Sequence, residues 1–209
     1  MKWLLRLVNT SGHCKQWDHR FSWVYLLVLC GTLQSIPNSM AYGWDTSQDT
    51  KALLGGYGQS LPGWGRTTER VQTIDFVPRY SHMTIDGLGS GWYRGYHSTL
   101  IELPVHFVTS PDVSSMIGVN FLACYTFTAN EQWRPYIFGG GGPVYSFADV
   151  PGMGAKWNGN YQFAIGLEHS YTSTQSLLLE VRYHHISNAG TAEPNVPLNS
   201  IKLLVGLTF

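Results

Sequence analysis

Residues 201–209 read Ile-Lys-Leu-Leu-Val-Gly-Leu-Thr-Phe. Successive side chains of an extended strand point to opposite faces. Ile201, Leu203, Val205, Leu207 and Phe209 therefore share one face, with Lys202, Leu204, Gly206 and Thr208 on the other. The same period of two recurs upstream in Leu177, Leu179, Val181 and Tyr183, in Tyr161, Phe163, Ile165 and Leu167, in Ile117 through Phe127, and in Ile101, Leu103, Val105 and Phe107. Fainter versions lie near 51–60, 71–82 and 134–146. That is eight strands. Each run is about nine to eleven residues, the length with which a tilted strand crosses a bilayer. The opposite face carries Glu102, His106, Glu168, Glu180 and Arg182 at mid-strand, which suits a polar interior behind an apolar wall. The expectation is an all-β fold, an eight-stranded antiparallel transmembrane β-barrel with its lumen filled by side chains. A soluble lipocalin-like barrel would also alternate.

The ends of the chain favour the membrane. Phe209 closes the final strand, and an aromatic last residue resembles the C-terminal strand of bacterial outer-membrane proteins. At the other end Lys2, Arg6, Lys15 and Arg20 precede an apolar run from Phe21 to Cys30. That run is too short to span a bilayer and fits the core of a secretory signal. Ser39-Met40-Ala41 supplies small residues before a cut, so residues 1–41 are expected to be a cleaved signal peptide and 42–209 the barrel. The mature chain would carry a net charge of −3 and one thiol, Cys124. Trp92, Tyr93, Trp133 and Trp157 stand where interfacial girdles would be.

Composition excludes other classes. Of the 209 residues, 13 are Lys or Arg and 13 are Asp or Glu, with 12% charged and 14% aromatic. A disordered chain needs more charge and fewer aromatics. A nucleic-acid binder needs a basic excess, so no nucleic-acid partner is expected. Three cysteines do not make a disulfide scaffold.

One stretch carries chemistry: Arg182-Tyr183-His184-His185-Ile186-Ser187-Asn188-Ala189-Gly190. The parity of Leu177 to Tyr183 puts His185 and Ser187 on the outward face. They stand roughly 6.6 Å apart along the strand, a gap the imidazole can close. Asn199 has the same facing on the next strand, just across the hairpin loop. His184 points inward, toward Glu180 or another carboxylate, so the two histidines cannot hold one metal together.

His185-x-Ser187-Asn188-Ala189-Gly190, followed by Pro194-Asn195 and Asn199, resembles the motif of PagL-type lipid A 3-O-deacylases. These are outer-membrane barrels that remove an ester-linked acyl chain from lipid A. The resemblance implies a bacterial outer-membrane location, lipid A or lipopolysaccharide as substrate, and no cofactor or metal. It implies Ser187 as nucleophile, His185 as general base, and Asn195 and the Gly190 amide as oxyanion donors. Asn199 falls where a well-known family member carries Glu. There it can orient the imidazole without supplying charge, and Asn199→Glu is expected to keep or raise activity. Glu193 is an alternative acid. A structural or adhesive barrel of similar size is the rival reading, and pairing with a second copy is left open.

Elsewhere the expectations are structural. Cys124 is an inward filler. Gly139 to Gly142 lack the Lys-Ser/Thr of a phosphate loop and mark a closely approached stretch of wall. His106 and His169 have no zinc-site spacing. Arg66, Arg94 and Lys156 are loop cations available to lipid A phosphates.

Overall fold

Backbone pairing turns the alternation into sheet over almost every expected segment. The computed structural model describes residues 49–209; the expected signal peptide, its cut after Ala41, and Cys14 and Cys30 lie outside the described residues. The strands are β1 (Asp49–Ser60), β2 (Gln72–Leu88), β3 (Gly95–Glu102), β4 (Val105–Ser110), β5 (Ser114–Gly118), β6 (Asn120–Phe127), β7 (Trp133–Ser146), β8 (Trp157–Ser170), β9 (Ser176–Ser187) and β10 (Leu198–Thr208). All are antiparallel in one large sheet that curls toward itself. β1 pairs with β2 along one side and with β10 along the other, Ala52 opposite Thr208 and Ser60 opposite Ser200. Among the described residues no helix is long and apolar enough to cross a membrane.

Two of these strands were only partly legible. β2 runs on to Leu88 and β3 begins at Gly95, beyond the alternating cores near 71–82 and 101–107. Their pairing shifts register between Met83 and Ile85 and again between Ile85 and Leu88. Each bulge changes which residues share a face, so the period of two dissolves there. Between β3 and β4 the chain breaks at Leu103-Pro104. Proline has no N–H to give the ladder, but Leu103 N still donates to Pro78 O and Pro104 O still accepts from Gly118 N.

The alternation sorts side chains as the sequence reading expected. Leu203, Val205, Leu207, Phe121, Phe163 and Ile165 are exposed outward. Inward lie ionic and apolar layers together, and the apolar share is larger than a purely polar lumen would have. Leu54, Val77, Leu100, Leu122, Phe138, Ala164, Leu178 and Leu204 form one buried cluster. Val71, Val108, Met116, Val144, Val150, Ile186 and Leu198 form a second. In so narrow a lumen the side chains pack much as a core does, leaving a cavity of about 150 Å³ lined by Arg79, Tyr96, Arg134, Tyr136 and Glu168.

Charged groups join across the interior. Arg79 and Arg182 both reach Glu102 and Glu180, at 2.5–2.9 Å. Tyr136 donates to Glu180 Oε1 at 2.6 Å. Lys202 donates to Asp75 at 2.7 Å, and His106 meets the same carboxylate at 2.8 Å. With Glu180 occupied in this way, His184 packs instead against the His106 ring, centroids 5.3 Å apart. Cys124 is buried near Thr126.

The glycine run of β7 is the close approach its composition suggested. A Cβ on Gly141 would stand 2.0 Å from the Asn160 carbonyl oxygen, and one on Gly142 would stand 2.0 Å from that of Val119. Both neighbours are backbone, which cannot rotate away. Gly141→Ala is expected to destabilise the barrel by about 1–3 kcal/mol through forced backbone displacement. The check is the urea midpoint of the barrel folded into vesicles; an unchanged midpoint would count against this packing.

Candidate active site

Strand register assembles the outward polar residues. Asn199 of β10 lies directly opposite His185 of β9, and Tyr161 of β8 lies opposite His185 on the other side. Directly opposed residues sit about 4.5–5.5 Å apart at their Cβ atoms, so one row across the wall reads Tyr161, His185, Asn199. Ser187 follows two residues along β9, on the same face.

The side chains close these gaps. His185 Nε2 is 3.0 Å from Ser187 Oγ, and His185 Nδ1 is 2.7 Å from Asn199 Oδ1. Tyr161 stacks on the imidazole, centroids 4.3 Å apart and planes 20° from parallel. Tyr183 donates its hydroxyl to Asn199 Oδ1 at 2.7 Å. The amide nitrogen of Asn199 donates to Trp64 O at 3.0 Å and to Thr67 Oγ1 at 2.9 Å. With Asn199 Oδ1 accepting, Nδ1 carries the ring hydrogen, and the lone pair of Nε2 faces the serine hydroxyl. That is the arrangement in which an imidazole can take a proton from an alcohol.

The 188–197 loop frames Ser187. Ala189 and Gly190 both adopt left-handed backbone, φ 54° and 79°, and Thr191 N closes the turn on Asn188 O at 3.1 Å. Asn188 holds this turn from within. Its Oδ1 accepts from Gly190 N at 2.9 Å, and its Nδ2 donates to Ala192 O at 2.8 Å. The Gly190 amide is therefore occupied by its neighbour. Asn195 Oδ1 accepts from Asn188 N at 3.2 Å. The Asn195 carbonyl accepts from Arg66 at 2.9 Å. Glu193 is exposed, and the imidazole nitrogen it would have served is taken by Asn199.

The loop cations divide between the two ends of the barrel. Arg66 and Lys156 belong to the end that carries loops 61–71, 147–156 and 188–197. Lys156 pairs there with Asp149. Arg94 lies at the opposite end, donating to Thr128 O at 2.9 Å, so it is not part of this site. Sequence reading missed Thr67, Trp64 and Tyr161 as site residues and took Tyr183 as purely lipid-facing. Tyr161 could have been found from the β8–β9 register. Thr67 is 132 residues from Asn199 and carried no local signal.

An antiparallel wall, apolar outside and ion-paired within, with a hydroxyl, an imidazole and an amide aligned on its outer face, defines a bacterial outer-membrane barrel protein. The family model for lipid A 3-O-deacylase (PagL) matches residues 75–208, and the chain belongs to that family. Its fold is similar to the crystal structure of the outer membrane enzyme PagL, at 21% identity and TM-score 0.51, covering 76% of this chain and 97% of that one. It is similar also to Neisserial surface protein A (NspA), at 14% identity and TM-score 0.54, covering 77% and 96%. Among curated proteins none matches the chain.

Proposed function

We propose that the chain is an esterase of the outer membrane that hydrolyses the 3-O-linked acyl chain of lipid A, working from the lipid-facing wall of an eight-stranded transmembrane barrel. The count of eight follows if β3 with β4, and β5 with β6, are single staves. In support, hydrogen bonds from Leu103 and Val119 continue through both interruptions, and β1 and β10 pair over nine residues. The observation that carries the activity is the imidazole held between Ser187 and Asn199 on the outward face.

Acyl-transfer chemistry then runs in two halves. Ser187 Oγ attacks the ester carbonyl carbon while its proton passes to His185 Nε2. The Asn195 amide nitrogen donates to the oxyanion. The Gly190 amide can join only by exchanging Asn188 Oδ1 for that oxygen. The tetrahedral centre collapses with the sugar oxygen leaving, and that oxygen takes the proton from His185. Water then gives a proton to His185 and attacks the acyl-serine, which releases the fatty acid and restores the Ser187 hydroxyl. Neither metal nor organic cofactor enters these steps. Barrels of this class carry longer loops on the outer side. Three of the four loops at the site's end, 61–71, 147–156 and 188–197, are longer than 89–94, 128–132 and 171–175 at the other end, 111–113 being the short exception, so the site would face the outer leaflet. The exposed apolar side chains below it give the acyl chain a surface to lie on.

The test is mass spectrometry of lipid A from cells making the wild type or Ser187→Ala. Loss of one hydroxyacyl chain is expected with the wild type alone. Identical spectra from two correctly inserted barrels would leave the structural or adhesive reading in place of the enzyme.

A further inference from the structure

We propose that Thr67, together with the Trp64 carbonyl, is a positioning clamp that fixes the Asn199 amide and through it the tautomer of His185, so that this site is built for a neutral amide and works against a carboxylate at position 199. The inference rests on the Ser187–His185 reading for its kinetic consequence, but not for its structural one.

Asn199 is 5% exposed, and all of its amide hydrogen-bonding capacity is committed. Oδ1 accepts from Tyr183 and faces His185 Nδ1, while Nδ2 donates to Trp64 O and Thr67 Oγ1. A backbone carbonyl can only accept. Trp64 O and Thr67 Oγ1, both acting as acceptors here, therefore decide together which way the amide lies. Rotating it by half a turn would set oxygen against oxygen at Trp64 and N–H donors against N–H and O–H donors at His185 and Tyr183.

Thr67 makes this arrangement rigid. It is 3% exposed, and its hydroxyl donates to Pro197 O at 3.0 Å. Both lone pairs are then free for Asn199, one accepting from the backbone N–H at 2.9 Å and the other from Nδ2. The turn from Trp64 to Thr67 is closed by Thr67 N donating to Trp64 O at 3.3 Å. It passes through Gly65 at φ 59°, where a Cβ would stand 3.2 Å from Asn199 Nδ2. A glycine is thus needed both for the left-handed backbone and for the approach to Asn199.

A carboxylate at 199 would turn one oxygen toward Trp64 O and remove the donor that Thr67 receives. A buried anion facing a carbonyl is costly. This reverses the expectation, drawn from the acid of the family motif, that Asn199→Glu keeps or raises activity.

The decisive measurement is 15N NMR of histidine-labelled, detergent-folded barrel, with the His185 signals assigned by their loss in His185→Gln. The wild type should show Nδ1 protonated and Nε2 bare. Thr67→Val, nearly equal in volume, should shift His185 toward mixed tautomers and lower kcat about ten- to hundredfold with KM little changed, the scale of a misplaced catalytic group. Thr67→Ser should restore both readouts. Asn199→Asp and Asn199→Glu should both turn over more slowly than the wild type. An unchanged tautomer signal in Thr67→Val, or acid variants as fast as the wild type, would overturn the clamp. If the wild type fails to deacylate lipid A while Thr67→Val still shifts the tautomer, the esterase reading falls and the clamp stands.

Discussion

Glu102→Leu is expected to lower the folding stability of the barrel by about 3–5 kcal/mol, the usual cost of removing one partner from a buried ion pair. Glu102 has no exposed surface. It accepts from Arg79 Nε and Nη2 at 2.9 and 2.7 Å, and from Arg182 Nη1 and Nη2 at 2.9 and 3.0 Å. Glu180 is the second carboxylate of the same cluster, so two guanidinium groups are balanced by two carboxylates. Both guanidiniums lie near the Phe138 ring, whose centre is 5.2 Å from Arg79 and 5.1 Å from Arg182. Leucine at 102 would leave one excess positive charge among buried side chains. Urea unfolding from vesicles, followed by tryptophan fluorescence, measures the loss. Arg79→Met combined with Glu102→Leu restores the charge balance and should cost less than the two single changes added together. Additive losses would show that the cluster does not act as a unit.

His185→Gln is expected to reduce lipid A deacylation by about 10⁴-fold or more, the scale on which serine hydrolases respond to loss of a catalytic-group member. Glutamine can keep a hydrogen bond toward Asn199 or toward Ser187, but it cannot take and return a proton. The serine would then attack as a neutral alcohol, and the sugar oxygen would leave without its proton. The barrel itself should be unaffected, because His185 lies on the outer wall and belongs to neither buried cluster. Single-turnover assays on purified lipid A, with the urea midpoint as control, separate the two effects. Residual activity within tenfold of the wild type would remove His185 from the reaction.

The outward polar row was legible because it is a consequence of parity. Once Leu177, Leu179 and Val181 are placed outward, His185 and Ser187 must follow, and the parity of Ile201, Leu203 and Val205 gives Asn199 the same facing, while its place directly opposite His185 came from the strand register. The inward glutamates and Arg182 were legible for the same reason. The partners of these residues were not. Sequence alternation says that Glu180 points inward; it does not say that Arg79 and Tyr136 will reach it while His184 is left to pack on His106. Nor did it show that Asn188 would turn its side chain onto the Gly190 amide, because a turn of left-handed Ala189 and Gly190 leaves no periodic trace.

What the sequence determined by itself is facing: a two-residue period sorts the side chains of a regular strand to the outer or inner side of the wall, and His185 and Ser187, two residues apart, inherit one face. What the tertiary structure decided is adjacency. Thr67 and Asn199 are 132 residues apart and meet only because β1 pairs with β10, which lays loop 61–71 over the end of the last strand. Facing is a local property of an extended backbone, whereas hydrogen-bond partners across a curled sheet depend on register and strand order, which no single stretch of chain contains.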